Sequence, residues 1–293
     1  MYDIEALYEA TSEAEAIRLM QQYPTAKLIA GGSDILIQIR EGKLAGCTLI
    51  SIQKLDSLRG VSMDEDGTLR IKPLTSFSHI TKDPLIKKHF RVLGEAVDTA
   101  GGPQIRNIAT IGGNICNGVT SSDSGSTLVA YDAITELTSP DGVRRLPIQE
   151  FYTGPGKVAL KPYELLTAIL IKKESYENCE GHYIKYAMRE AMDIATLGCS
   201  VNVRLSDDKT IVERMRVGFA VAAPVPIRAK SAEAAAKGMP VSCKTINAAA
   251  KAALLDVSPR TSWRASKELR LQLVEVLTKR AFEQAIILAG GEL

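Results

Sequence analysis

Two short glycine-rich stretches constrain this chain more than any other feature. The first runs Lys27-Leu28-Ile29-Ala30-Gly31-Gly32-Ser33-Asp34. The second runs Gln104-Ile105-Arg106-Asn107-Ile108-Ala109-Thr110-Ile111-Gly112-Gly113-Asn114. Each leads an apolar run into two adjacent glycines and then a small polar residue. Glycine has no Cβ and reaches φ > 0 without strain, so bare backbone can approach a ligand and successive N–H groups can turn inward on an anion. Two such nests suit the two phosphates of a dinucleotide. Taken singly, each Gly-Gly pair reads as a tight turn. Neither stretch has the spacing of a G-x-G-x-x-G or a G-x-x-x-x-G-K-[ST] loop.

The 293 residues are enough for two domains with sizeable cores. Charge is nearly balanced, with 36 basic against 34 acidic residues, which argues against nucleic acid or an anionic membrane as the main partner. No apolar run reaches the roughly 18 residues of a membrane span. The N-terminus, Met1-Tyr2-Asp3-Ile4-Glu5, lacks the basic and apolar regions of a signal peptide, so a cytoplasmic protein is expected. Cys47, Cys116, Cys179, Cys199 and Cys243 are scattered without a C-x-x-C, which speaks against a zinc or iron–sulfur site; each reads as a small buried hydrophobe. His79, His89 and His182 are equally dispersed, and no metal site is expected.

Periodicity predicts a helix over 11–22, a buried strand over 27–30 that ends at the first glycine pair, and short segments at 35–39 and 48–52. Asp64-Glu65-Asp66-Gly67 marks a hairpin turn, and 76–100 reads as helix interrupted at Asp83-Pro84. Strands are expected over 133–139, 143–147 and 165–171. The polar, non-periodic stretch 172–181 reads as a boundary. Strands over 183–188, 194–205 and 214–221 and helices over 231–237, 245–255 and 266–288 complete an α+β architecture, with a C-terminal unit of one sheet and three helices.

Ala30-Gly31-Gly32-Ser33-Asp34, the stretch Ile105 to Asn114, and Ser122-Asp123 together resemble the FAD-binding medium subunits of molybdenum hydroxylases, a family that includes xanthine and carbon monoxide dehydrogenases. Lys185-Tyr186-Ala187-Met188-Arg189 and Trp263 to Arg270 extend the resemblance over nearly the whole chain, on the side of the bacterial xanthine dehydrogenase type. The resemblance implies a two-lobed FAD-binding domain of the PCMH type over 1–176, with lobes of about 1–58 and 59–176, then a C-terminal flavoprotein domain over 177–293 of antiparallel sheet plus three helices. It implies FAD between the lobes, an iron–sulfur subunit that delivers electrons, a separate molybdopterin-binding subunit, and NAD⁺ or another acceptor. Medium subunits of CO, nicotinate or aldehyde dehydrogenases are the alternative within the family, and a non-redox scaffold the alternative outside it.

On that resemblance, Lys27, Leu28, Ile29, Ala30, Gly31, Gly32, Ser33 and Asp34 form one diphosphate loop. Ala109, Thr110, Ile111, Gly112, Gly113 and Asn114 form the other, with Thr110 as a donor. Asp123 accepts from a cofactor hydroxyl on the adenosine side or the ribityl chain; read alone, it is the cap of an Asx-turn. Leu165 or Leu166 packs beside the cofactor, and Lys185 reaches the flavin ring; read alone, Lys185 is a surface lysine. Two departures bear on the acceptor. Ala100 stands where eukaryotic relatives place an aromatic ring over the flavin, and Arg189-Glu190-Ala191-Met192-Asp193 carries fewer charges than their run after the lysine. FAD supplies its own redox chemistry, so no catalytic acid or base is expected.

Overall fold

The structure is a computed structural model and describes residues 2–293. Strands Ile4–Glu9, Cys47–Ser51 and Lys27–Ile29 form a parallel sheet with Cys47–Ser51 in the middle. Parallel pairing needs long crossovers, and the helices Glu13–Gln22 and Ile35–Arg40 lie in them. Ser12 caps the first helix by accepting the Glu15 amide at 3.1 Å, while the Glu15 carboxylate reaches back to the Thr11 amide at 2.9 Å. Lys27–Ile29 is an edge strand, so the first glycine-rich stretch leaves the sheet at its rim.

The second sheet is antiparallel. Its order is Val61–Met63, Leu69–Ile71, Leu165–Ile171, Ile134–Ser139, Gly142–Pro147. Every residue of the central strand Leu165–Ile171 is buried. Leu165 joins the core beneath the first sheet and Leu166 the core beneath the second, so this strand ties the two together. Helices Phe77–Lys82, Pro84–His89 and Arg91–Asp98 cover the second sheet. Asp83 ends one of them and caps the next, accepting the Leu85 amide at 2.9 Å with Pro84 in the first helical turn.

The third sheet is antiparallel in the order Glu180–Tyr186, Leu197–Leu205, Val212–Ala220, Ile227–Arg228. One face packs on helices Lys230–Ala236, Cys243–Ala253 and Lys267–Leu288. The other packs on helix Asp123–Ala130, all of whose residues are buried. The approach is close: a Cβ on Gly218 would overlap the Ser126 carbonyl. Asp132, just past that helix, joins Arg216 at 2.6 Å and also Arg228, and the Arg228 guanidinium also pairs with Glu233. No helix among the described residues is long and apolar enough to cross a membrane.

The sequence pattern misses the single-turn helices Ile148–Phe151 and Lys173–Tyr176, and also Pro103–Ile108, Ile111–Cys116 and Asp123–Ala130. All are short, and the last two are rich in Gly or Ser, whose intrinsic preference is against helix; packing overrides it. The expected helix 76–100 breaks a second time at Phe90, which no proline announces. The expected boundary 172–181 contains helix Lys173–Tyr176. There the Tyr176 hydroxyl donates to the Gly67 carbonyl at 2.6 Å, and its ring lies 4.6 Å from Phe90. The cysteines also differ from expectation: Cys199 is buried, but Cys243 is exposed and the other three are half-buried.

Candidate functional site

Between the first two sheets lies a cleft of about 620 Å³. The two glycine-rich stretches form facing parts of its wall. Of the residues singled out in sequence, Lys27, Leu28, Ala30, Gly31, Gly32, Ser33, Asp34, Ala109, Thr110, Gly112, Gly113, Asn114, Leu165 and Leu166 all line it. Both leucines contribute to the cleft wall from adjacent positions of the central strand.

The first stretch behaves as a nest. Gly32 has φ +77°, in the region glycine occupies without strain. Among the described residues, the amides of Gly31, Gly32, Ser33 and Asp34 donate no hydrogen bond within the chain. Gly31 is required for a different reason: a Cβ there would overlap the carbonyl oxygen of Ile108, at the end of helix Pro103–Ile108. The two stretches therefore touch backbone to backbone.

The second stretch is not a nest. Neither Gly112 nor Gly113 has positive φ, and both lie in helix Ile111–Cys116, with Thr110 as its cap. Their amides are committed: Ile111 to the Thr75 carbonyl at 3.1 Å, Gly112 to the Pro73 carbonyl at 2.8 Å, and Gly113 to Thr110 Oγ1 at 3.1 Å. Gly112 is required because a Cβ there would collide with Pro73. Gly113 is exposed to the cleft, where an added Cβ meets Thr110 Oγ1 at 3.0 Å and nothing else. What this wall offers a ligand is side chains. Asn114 Oδ1 accepts the hydroxyls of Ser122 and Ser124 at 2.5 and 2.6 Å, which turns its amide N–H groups outward. Thr110 accepts from Gly113 and keeps its own hydroxyl proton to donate.

Four of the singled-out residues are elsewhere. Ile29 sits half-buried at the strand end, and Ile111 is fully buried in the core rather than facing the cleft. Asp123 is not a cap: that role belongs to Ser122, which accepts the Gly125 amide at 3.0 Å. Asp123 instead forms a buried cluster. Its Oδ1 accepts the Tyr183 hydroxyl at 2.7 Å and its Oδ2 accepts Lys185 Nζ at 2.9 Å. Tyr183 and Lys185 are two apart on one strand and so share a face, pointing away from Ile184. Lys185 also donates to the Thr99 carbonyl at 3.0 Å, so it is no free surface lysine. Burial pushes the Asp123 carboxyl up, against the opposing pull of Lys185 and Tyr183. Burial and the Asp123 charge push the Tyr183 phenol well above its ordinary value, so it remains a donor.

Lys185 and Thr99 line a second, smaller cavity of about 340 Å³, together with the segment Tyr186 to Asp193. Sequence reasoning missed Gln38, Pro73, Cys116, Asn117 and Glu164 on the wall of the larger cleft. None belongs to a motif; Pro73 could have been found only from knowing what abuts Gly112. Burial pushes the Cys116 thiol up to about 12, so it stays neutral.

Residues 2–172 match the family model for the FAD-binding domain in molybdopterin dehydrogenase, and 182–285 match the CO dehydrogenase flavoprotein C-terminal domain. The chain is 44% identical over its full length to a putative xanthine dehydrogenase FAD-binding subunit of Escherichia coli K12, all of which is covered. It is 33% identical over 71% of both chains to the nicotinate dehydrogenase FAD-subunit of Eubacterium barkeri. Its fold superposes on a chain of carbon monoxide dehydrogenase from Hydrogenophaga pseudoflava with a TM-score of 0.91, at 28% identity and covering 97% and 98% of the two chains. The chain belongs to the family of FAD-binding medium subunits of molybdenum hydroxylases.

Proposed function

We propose that this chain is the FAD-carrying electron-transfer subunit of a three-chain molybdenum hydroxylase of the xanthine dehydrogenase kind. Identity of 44% over the full length supports xanthine ahead of CO, nicotinate or an aldehyde. One observation carries the flavin reading and disfavours a scaffold: a run of unpartnered amides, Gly31 to Asp34, on the wall of a cleft of dinucleotide size. We keep the division into 1–176 and 177–293, with lobes 1–58 and 59–176, and infer a cytoplasmic enzyme from its free cysteines.

When bound, FAD supplies the electron-carrying chemistry. The chain's residues hold and isolate it. The amides of Gly31 to Asp34 and the Ser33 hydroxyl take one phosphate; the Thr110 hydroxyl and the Asn114 amide take the other. Leu165 and Leu166 give an apolar wall and exclude water. Lys185, held by Asp123, would offer its ammonium to the flavin from the side of the smaller cavity. Loaded in this way, the chain would accept electrons from an iron–sulfur subunit and pass them to NAD⁺ or another acceptor, with substrate oxidised on a separate molybdopterin subunit. The purified chain is expected to show flavin absorption and to release FAD into the supernatant on acid precipitation, because no residue is placed for covalent attachment. Xanthine should bleach that absorption only in the complete complex. A colourless chain indifferent to added FAD would sink the reading, and bleaching by CO or nicotinate instead of xanthine would move it within the family.

A further inference from the structure

The segment between helices Cys243–Ala253 and Lys267–Leu288 carries the chain's single tryptophan, Trp263, 76% exposed. The Arg264 guanidinium lies 4.2 Å from the centre of its ring, so indole and cation form one unit. Arg264 Nε is shut off from solvent and has no acceptor among the described residues. Behind it Arg270 is 2% exposed and donates only to neutral oxygens: the Thr196 carbonyl at 3.3 Å, Ser262 Oγ at 2.7 Å and the Arg260 carbonyl. None of the ion pairs among the described residues involves Arg260, Arg264, Lys267 or Arg270. Burial and the charges of Arg260 and Arg264 pull Arg270 below the usual guanidinium value, so the cluster repels itself. Most other buried or half-buried arginines of the fold are paired, such as Arg228 with Asp132 and Glu233, Arg144 with Glu164 and Arg70 with Glu136; Arg214, which donates to the Glu174 carbonyl and to Cys179 Sγ, is an exception.

This cluster adjoins the smaller cavity. Thr196, which Arg270 holds, donates its amide to the Tyr186 carbonyl at 2.8 Å, next to Lys185. The intervening segment exposes Tyr186, Met188, Met192 and Ile194. One end of the third sheet thus presents apolar side chains beside cations that form no ion pair among the described residues.

We propose that this face docks the electron-donating iron–sulfur subunit, with Trp263 and Arg264 as anchors and carboxylates of the partner opposite Arg260 and Arg264. The proposal rests on the electron-transfer reading above. A small anion would neutralise the cations but leave the indole in water, whereas Trp and Arg together are the side chains that dominate protein interfaces. A second copy of this chain fits poorly, because a two-fold contact would set the same unpaired cations against each other. An electron donor fits well, because Tyr186, Met188 and Met192 of this face also line the cavity that holds Lys185.

The test uses the co-expressed complex, captured through this chain, with Trp263→Ala, Arg264→Glu and the remote control Val143→Ala. Iron and iron–sulfur subunit per chain report docking; FAD per chain and the thermal midpoint report the flavin reading and the fold. Trp263→Ala and Arg264→Glu are expected to weaken retention of the iron–sulfur subunit on the order of thirtyfold each, the effect of losing an interface anchor. FAD content and midpoint should stay as in the control, and salt should weaken the parent complex by screening its charge contacts. Retention of the iron–sulfur subunit at control levels by both variants overturns the docking face. So does a change in self-association of this chain with that subunit still bound. Loss of FAD from the parent chain would instead count against the flavin reading, and is read separately.

Discussion

Lys185 Nζ lies 2.9 Å from Asp123 Oδ2, and 9% of each side chain is exposed. An ammonium and a carboxylate so placed present little net charge to the neighbouring cavity. Removing the lysine alone leaves a buried carboxylate with the Tyr183 hydroxyl as its remaining partner. Lys185→Met is therefore expected to lower stability by about 3 kcal/mol, the cost of orphaning one member of a buried pair. It should also lower the flavin midpoint potential. Asp123→Asn in the same chain should recover much of both losses. Denaturant titration and spectroelectrochemistry check this; a single variant as stable as the parent would show that the pair contributes nothing.

The same carboxylate gives a pH dependence. Burial raises its folded-state value above the unfolded one, so the native chain holds this proton more tightly than the unfolded chain does. The stabilisation is complete below the ordinary aspartate value of about 4 and is lost as pH rises from there through the raised value. Asp123→Asn should flatten that part of the stability–pH curve, with urea unfolding at several pH values as the measurement. An unchanged slope would assign the acid dependence to other groups.

The glycines separate by what each one touches. Gly113→Val adds atoms into the open cleft, so the chain should fold normally and bind FAD about 2 kcal/mol more weakly, as when hydrogen bonds to a charged group are lost. Gly31→Val and Gly112→Val meet the Ile108 carbonyl and Pro73, and should cost about 1–3 kcal/mol of stability as overpacking does. Flavin fluorescence titration and thermal melts distinguish the two classes. A well-folded Gly31→Val chain would remove the backbone contact from the account.

Asp132 holds Arg216 at 2.6 Å, Gln149 at 3.0 Å and Arg228 across the surface between helix Asp123–Ala130 and the third sheet. Asp132→Ala is expected to lower unfolding free energy by about 2–3 kcal/mol. That is less than a fully buried pair would lose, because a third of the Asp132 side chain is exposed. A change below the error of denaturant titration would mean that Glu233 alone satisfies Arg228.

Cys116 lines the cleft with its thiol pushed up to about 12, while Cys243 is exposed. Thiolate is the reactive form, so at neutral pH Cys116 should alkylate on the order of a thousandfold more slowly than a thiol of ordinary value. Mass-spectrometric timing of iodoacetamide labelling reads this directly, and early labelling of Cys116 would contradict its placement.

Much of this was legible in the sequence because it is local. The helix at 13–22 announces itself through Ser12 and Glu15, and the break at 83 through Asp83-Pro84. Nearly half of the cleft wall was found through its two glycine pairs, yet for partly different reasons. Gly112 is glycine because of Pro73, and Gly31 because of Ile108, neighbours that only folding supplies. Asp123 and Lys185 could be singled out but not joined, since 62 positions separate them. Helix Asp123–Ala130 was invisible because Ser and Gly argue against helix locally, and its burial is what holds it.

The central strand Leu165–Ile171 sets an order of events during synthesis. It pairs with strands made earlier on both sides and supplies Leu165 to one core and Leu166 to the other. Until it leaves the ribosome, the second sheet lacks its central strand and the cleft lacks the wall that Leu165 and Leu166 provide. Cofactor capture is thus expected late for the nascent chain, and a fragment stopped before residue 165 should emerge with both glycine-rich segments and an incomplete cleft for FAD.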